Sequence, residues 1–244
     1  MSSELELFLL VVLFYLYDSS VLLYSNEAIL TRESADRWSA SVGWTGFVVA
    51  GRVLCMLNPF TPHKPAFRLH WDFNSLVGDT ADQSWTGSAA TLKGLTPFTL
   101  GAGVGLFILL PLGLFTPLSM YAAAAGMILF YLATACALYR VKRLGLFEAA
   151  GRNGFAGFAF ECLACPPFGV NIVRRLSLTQ RVLEPLPLAG ARLLDAASWD
   201  HLRSRCVARL DEALRVSGDE SSESRSLEAQ KQRIRELVSA HDAH

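Results

Sequence analysis

Hydrophobic and polar residues are segregated along this chain over distances far longer than a helical turn. From Gly94 to Tyr139 about 45 consecutive residues carry no Asp, Glu, Lys or Arg, roughly twice the ~20 that a helix needs to cross a bilayer. The stretch Pro111-Leu-Gly-Leu-Phe-Thr-Pro117 concentrates turn-forming residues in the middle. The pattern therefore predicts a helical hairpin, Leu95 to about Phe115 and about Leu118 to Tyr139. A second apolar run, Leu7 to Tyr24, precedes it. A cleaved leader needs a basic start and a small-residue cleavage site, whereas this chain opens Met1-Ser-Ser-Glu-Leu-Glu6. The run is expected to be an uncleaved first span. Asp18 lies about two-thirds along it, an intramembrane polar candidate that serves either function or helix–helix packing.

Between the two apolar regions the period changes. Ala66-Phe-Arg-Leu-His-Trp-Asp72 alternates, with Phe67, Leu69 and Trp71 on one side and Arg68, His70 and Asp72 on the other, as in a half-buried strand. Phe47 to Leu57 is rich in Val, and Glu27–Arg32 and Trp38–Val42 are weaker strand candidates. Asn58-Pro-Phe-Thr-Pro-His-Lys-Pro65 reads as a rigid connector, and Ser75 to Thr91 as a linker. A small antiparallel β-unit over roughly residues 26–73 follows. A span over Gly43 to Leu57 is disfavoured, being short and carrying Arg52.

Within the hairpin, Gly101 and Gly105 form a small-xxx-small pair, and Ala122 and Gly126 repeat it. Small residues let backbones approach where lipid supplies no hydrophobic drive. After the hairpin, Gly154 to Val173 is apolar and Phe-rich but contains Glu161 and Pro166-Pro167. It is expected to lie at, or dip into, the membrane interface rather than cross. Arg140, Lys142, Arg143, Arg174 and Arg175 are then candidates to meet lipid headgroups. Cys162-Leu-Ala-Cys165 could share a metal or act as a redox pair. Zinc normally takes four ligands, and the remaining recruits, Cys55, His63, His70, His201 and Cys206, are scattered. Small apolar filling is the more economical reading, and no cofactor is expected.

Downstream, Trp199, Leu202, Cys206, Leu210 and Leu214 recur at helical spacing with Ser198 as an N-cap candidate. Ser226 to Ala240 reads as a last charged helix, with Leu227, Ile234 and Leu237 on one face.

Charge sets the orientation. The loop after the first run and the segments after the hairpin carry the Lys and Arg, and the N-terminus has only Glu4 and Glu6. Basic residues collect on the cytoplasmic side, so the expected topology is N-terminus outside and C-terminus cytoplasmic. Composition agrees: 52% of residues are hydrophobic and only 18% charged, with 22 basic balancing 22 acidic residues. That balance provides no electrostatic case for nucleic acid. Frequent Ala, Leu and Arg suggest a GC-rich bacterial genome, so the expected membrane is the bacterial inner membrane.

The expected fold is an α-helical integral membrane protein of about three transmembrane helices, with a small cytoplasmic antiparallel β-unit inserted after the first helix and a helical C-terminal tail. Its expected divisions are a first helix at 1–25, a β-rich loop domain and linker at 26–93, the hairpin at 94–143, the Phe/Cys-rich segment at 144–178 and the tail at 179–244. No phosphate-binding Gly loop, nucleophile elbow or His-Glu-x-x-His motif is present. The expectation is a non-catalytic anchor, scaffold or assembly partner in the lipid bilayer that engages another protein. The alternatives are a metal or redox protein using Cys162 and Cys165, and a transport-complex subunit using Asp18.

Overall fold

The computed structural model describes residues 3–24, 26–43, 47–71, 84–116, 119–149, 154–217 and 222–237. It is mostly helical with a small antiparallel sheet component. In chain order the elements are α1 (Ser3–Asp18), β1 (Ser20–Leu23), β2 (Glu27–Arg32), β3 (Trp38–Ser41), β4 (Val48–Val49), β5 (Arg52–Met56), β6 (Ala66–His70), α2 (Ser84–Lys93), α3 (Thr96–Val104), a π-helical turn (Gly105–Leu109), α4 (Leu110–Phe115), α5 (Ser119–Arg143), α6 (Leu146–Ala149), α7 (Phe155–Ala164), α8 (Pro166–Val170), α9 (Ile172–Thr179), α10 (Leu186–Leu193), α11 (Ala196–Ser217) and α12 (Ser222–Glu236). The chain forms two compact units, each assembled from three separate segments. Unit 1 comprises Met1–Val21, Met56–Pro65 and Gly87–Arg181, and unit 2 comprises Leu22–Cys55, Ala66–Thr86 and Val182–His244.

Unit 1 is helical. The run Thr96–Phe115 and the helix Met120–Arg143 are each long and apolar enough to cross a membrane. The first of these ends at Phe115, where the sequence placed it, and Pro111 sits inside α4. A proline removes one backbone donor and crowds the preceding turn. The helix accommodates it with the wider π turn immediately before, where the Leu110 amide bonds the Gly105 carbonyl. The helix α1 runs antiparallel to this run, because Phe8 meets Phe115 at 6.0 Å while Tyr15 meets Phe107 at 4.7 Å. Tyr15, Ala102, Leu106, Phe130, Ala133 and Val170 form the buried core of the unit.

The first apolar run is not one helix to Tyr24. It stops at Asp18, and Ser20–Leu23 is a strand. The paired serines compete with helical bonding: Ser20 Oγ donates to the Leu16 carbonyl at 2.8 Å. The Phe/Cys-rich region is likewise broken. Cys165 is extended (φ −119°, ψ 96°) between α7 and α8, as expected for a residue before proline. No single helix there is long enough to cross.

The strands form two three-stranded sheets, ordered β1-β5-β4 and β3-β2-β6, the second lying wholly in unit 2. In the second, β2 pairs antiparallel with both neighbours, Ile29 facing Ser41 on one side and Arg68 on the other. Ala28, Ile29 and Leu30 are fully buried, as are Ala66, Phe67 and Leu69. An aromatic cluster builds on this sheet: Trp85 meets Trp38 at 5.2 Å and Phe67 at 5.0 Å. Trp85 belongs to α2, which occupies residues that had read as linker; 72–83 lie outside the described residues. Its indole donates to Glu184 Oε2 at 2.8 Å, and Arg192 pairs with the same carboxylate at 2.7 Å. Farther on, Trp199, Leu202, Cys206 and Leu210 of α11 are buried, as are Leu227 and Ile234 of α12. The α11 start is capped not by Ser198 but by Asp195, whose Oδ1 accepts the Ser198 amide at 2.8 Å.

Candidate functional site

The densest buried polar chemistry in unit 1 surrounds the C-terminal end of α1. Asn171, at the joint between α8 and α9, is fully buried. Its Nδ2 donates to Asp18 Oδ2 at 2.9 Å and to Ser19 Oγ at 3.2 Å. One helical turn on, Arg174 is also buried. Its guanidinium donates to the carbonyls of Asn58 and Thr61, the latter at 2.8 Å, and to Thr61 Oγ1 at 3.2 Å. The Tyr15 hydroxyl donates to the Pro59 carbonyl, and the Leu57 amide to the Ser19 carbonyl at 3.0 Å. The result is a knot in which α1, the loop Asn58–Pro65 and α9 share one hydrogen-bond network.

This changes the roles read from sequence. Asp18 does lie in a polar setting within a hydrophobic unit, and its partner is Asn171. Arg174, expected beside lipid headgroups, instead faces inward, because three oxygen acceptors of the loop require a donor fork. Arg175 points the other way. It pairs with Glu161 at 2.6 Å and lies 4.0 Å over the Phe168 ring. Sequence cannot tell which of two adjacent arginines turns inward. Arg140, Lys142 and Arg143 are exposed at the end of α5, and Arg140 lies over the Phe98 ring of α3 at 5.9 Å.

The cysteine pair gains no further ligands. Cys162 is buried with Sγ 3.8 Å from the Phe168 carbonyl, and Cys165 occupies the helix break. Among the described residues no group of three or more His, Cys, Asp or Glu side chains converges as a metal site. None of the five cysteines forms a disulfide.

The small residues of the hairpin divide. A Cβ on Gly105 would lie 2.5 Å from the Gly126 carbonyl, and one on Gly126 would lie 2.7 Å from the Gly105 carbonyl. That is the close crossing. Gly101 meets only Ala133 Cβ, at 3.5 Å, and Ala122 is half-buried. Gly113, which the spacing rule did not select, is pressed against the backbone of Ala123.

In unit 2 a cavity of about 20 Å³ is lined by Glu27, Trp71, Arg205, Cys206 and Arg209, with other residues. It has room for about one water. Burial pushes the Cys206 thiol far above its ordinary range and raises that of Cys55 as well. Neither is a poised nucleophile. Comparison of the chain with models of protein families, with curated proteins and with solved structures finds no match.

Proposed function

We propose that this chain is a non-catalytic integral membrane protein, in which α1, Thr96–Phe115 and α5 cross the bilayer and hold a cytoplasmic β-unit and helical tail for engagement of another protein. The carrying observation is the outer surface of unit 1. Leu7, Leu10, Leu13, Phe14 and Tyr17 of α1 are exposed, and so are Ile108, Leu112, Tyr121, Ile128 and Leu132 of the hairpin. So many large apolar side chains held outward on one helical unit have no aqueous rationale and fit lipid. The α1 helix, at 16 residues, is ~24 Å long, short of the ~30 Å hydrocarbon core. The polar knot completes its inner end, where Asn171, Arg174 and the loop 58–65 satisfy groups that lipid would leave bare. The basic end of α5 favours the cytoplasm for that side, and the reading takes the membrane to be a bacterial inner membrane.

The test is affinity purification from native membranes in mild detergent, with reporter fusions for topology. A partner retained through the tail 182–244, with residue 118 outside and residue 244 inside, is the expected result. Turnover of a lipid or small molecule by the partner-free protein would overturn the non-catalytic reading.

A further inference from the structure

We propose that the loop Asn58–Pro65 is a membrane-inserted finger, with Phe60 as its lipid-facing tip. The inference rests on the membrane reading above and adds a contact that the three helices do not require.

The first observation is position. Tyr15 packs in a tilted pair against Phe107, which lies 11 residues, hence ~16 Å, beyond the Thr96 start of the hairpin helix. Asp18, one turn farther along the antiparallel α1, is then ~12 Å inside that start. The loop is bonded at this level: Tyr15 reaches Pro59, and Ser19 receives the Leu57 amide. If the hairpin spans the bilayer, the loop lies within the inner leaflet rather than beneath it.

The second observation is that the backbone groups flanking its tip have partners within the protein. Non-helical chain at membrane depth is tolerated only where its polar groups find partners in the protein. Pro59 and Pro62 have no amide hydrogen. The Phe60 amide bonds Asn58 Oδ1 at 3.0 Å, and the Thr61 amide bonds the Asn58 carbonyl at 3.1 Å. The carbonyls of Asn58, Pro59 and Thr61 take the Arg174 and Tyr15 donors. A loop in water needs no buried guanidinium for its carbonyls. This one has one, while Pro62 and Pro65 bury against the unit.

The third is the tip. Phe60 is 87% exposed on this braced turn. Phe160 and Tyr17, on α7 and in the last turn of α1, are exposed apolar side chains of the same unit. An aromatic ring held out at this depth is suited to the boundary between acyl chains and headgroups.

The experiment places photoreactive p-benzoylphenylalanine at position 60, 128 or 37 of the full chain in phosphatidylethanolamine–phosphatidylglycerol vesicles. Mass spectrometry then scores adducts after irradiation. Position 128 replaces the exposed Ile128 of α5 and reports the membrane reading alone; Arg37 is an exposed residue of unit 2. Phospholipid adducts at 60 and 128 but not at 37 are expected. Adducts at 128 without 60 overturn the finger and leave the spans; adducts at neither overturn the membrane reading. Because Arg174 acts here as a positioning residue, Arg174→Met should sharply reduce the adduct at 60 and leave that at 128 unchanged. An undiminished yield at 60 would deny that Arg174 sets the loop.

Discussion

The hairpin crossing allows one substitution to act in opposite directions at two positions on the same helix pair. In Gly126→Ala the new methyl lies 2.7 Å from the Gly105 carbonyl, 3.0 Å from Leu109 Cβ and 3.0 Å from the Leu110 nitrogen. These are mostly backbone atoms, and the closest falls about 0.8 Å short of the ~3.5 Å at which heavy atoms attract. The helices must therefore separate, and a gap of that order forfeits a quarter to a half of the local dispersion energy. Overpacking costs about 1–3 kcal/mol, and alanine recovers up to ~1 kcal/mol of helix propensity. The net expectation is a loss of about 1–2 kcal/mol. In Gly101→Ala the methyl meets only Ala133 Cβ at 3.5 Å, so the propensity gain stands and stability holds or rises by up to ~1 kcal/mol. Thermal denaturation in mild detergent, followed by helical circular dichroism, orders the two variants. Equal melting temperatures, or a lower one for Gly101→Ala, would refute the crossing geometry.

Glu184→Ala strands the Trp85 indole and leaves Arg192 uncompensated, with an expected cost of about 3–5 kcal/mol in unit 2; limited proteolysis that leaves the variant as resistant as the wild type would contradict this. The buried thiols set a pH limit. Unfolded, Cys206 and Cys55 ionise near ~8.5, whereas burial in the folded state raises both, Cys206 far and Cys55 in the same direction. The native state then binds more protons, so stability is complete at neutral pH and falls above ~8.5 by up to ~1.4 kcal/mol per unit and per thiol. Denaturant titrations of wild type and Cys206→Ala across that range should show a shallower fall in the variant; identical slopes would count against it. Asp18→Asn keeps an acceptor for Asn171, so insertion and melting temperature should not change. If Asp18 serves transport, that variant loses the partner complex's activity; full activity would confine Asp18 to packing.

Much of the β-unit was legible because strands announce themselves locally. The alternation of Phe67, Leu69 and Trp71 marks β6, and the two apolar hairpin helices follow from the absence of charge. The helix α2 was missed because Ser84-Trp-Thr-Gly-Ser has little helical propensity. The available signal was Trp85, Ala89 and Leu92, spaced four and three residues apart and all buried. The knot was half visible: Asp18 stood out as a charge among apolar residues. Its partners Asn171, Arg174 and Tyr15 come from segments over a hundred residues apart or from an unremarkable aromatic, and no periodicity links them. Likewise Gly105 and Gly126 obey the spacing rule, but only geometry separates them from Gly101.

The interleaving of the two units has a consequence for biosynthesis. Leu22–Cys55 and Ala66–Thr86 leave the ribosome early, yet Glu184, the acceptor for the Trp85 indole, comes about a hundred residues later. Both helices of the hairpin must be synthesised in between. The early strands therefore wait, aromatic face uncovered, through the whole interval in which the hydrophobic segments are made, and they are exposed to aggregation during it. Emergence of the segment that begins at Val182, rather than of the strands themselves, brings the acceptor for Trp85, and a transcript truncated before codon 182 leaves that indole unmet and the strands open to quality-control proteases.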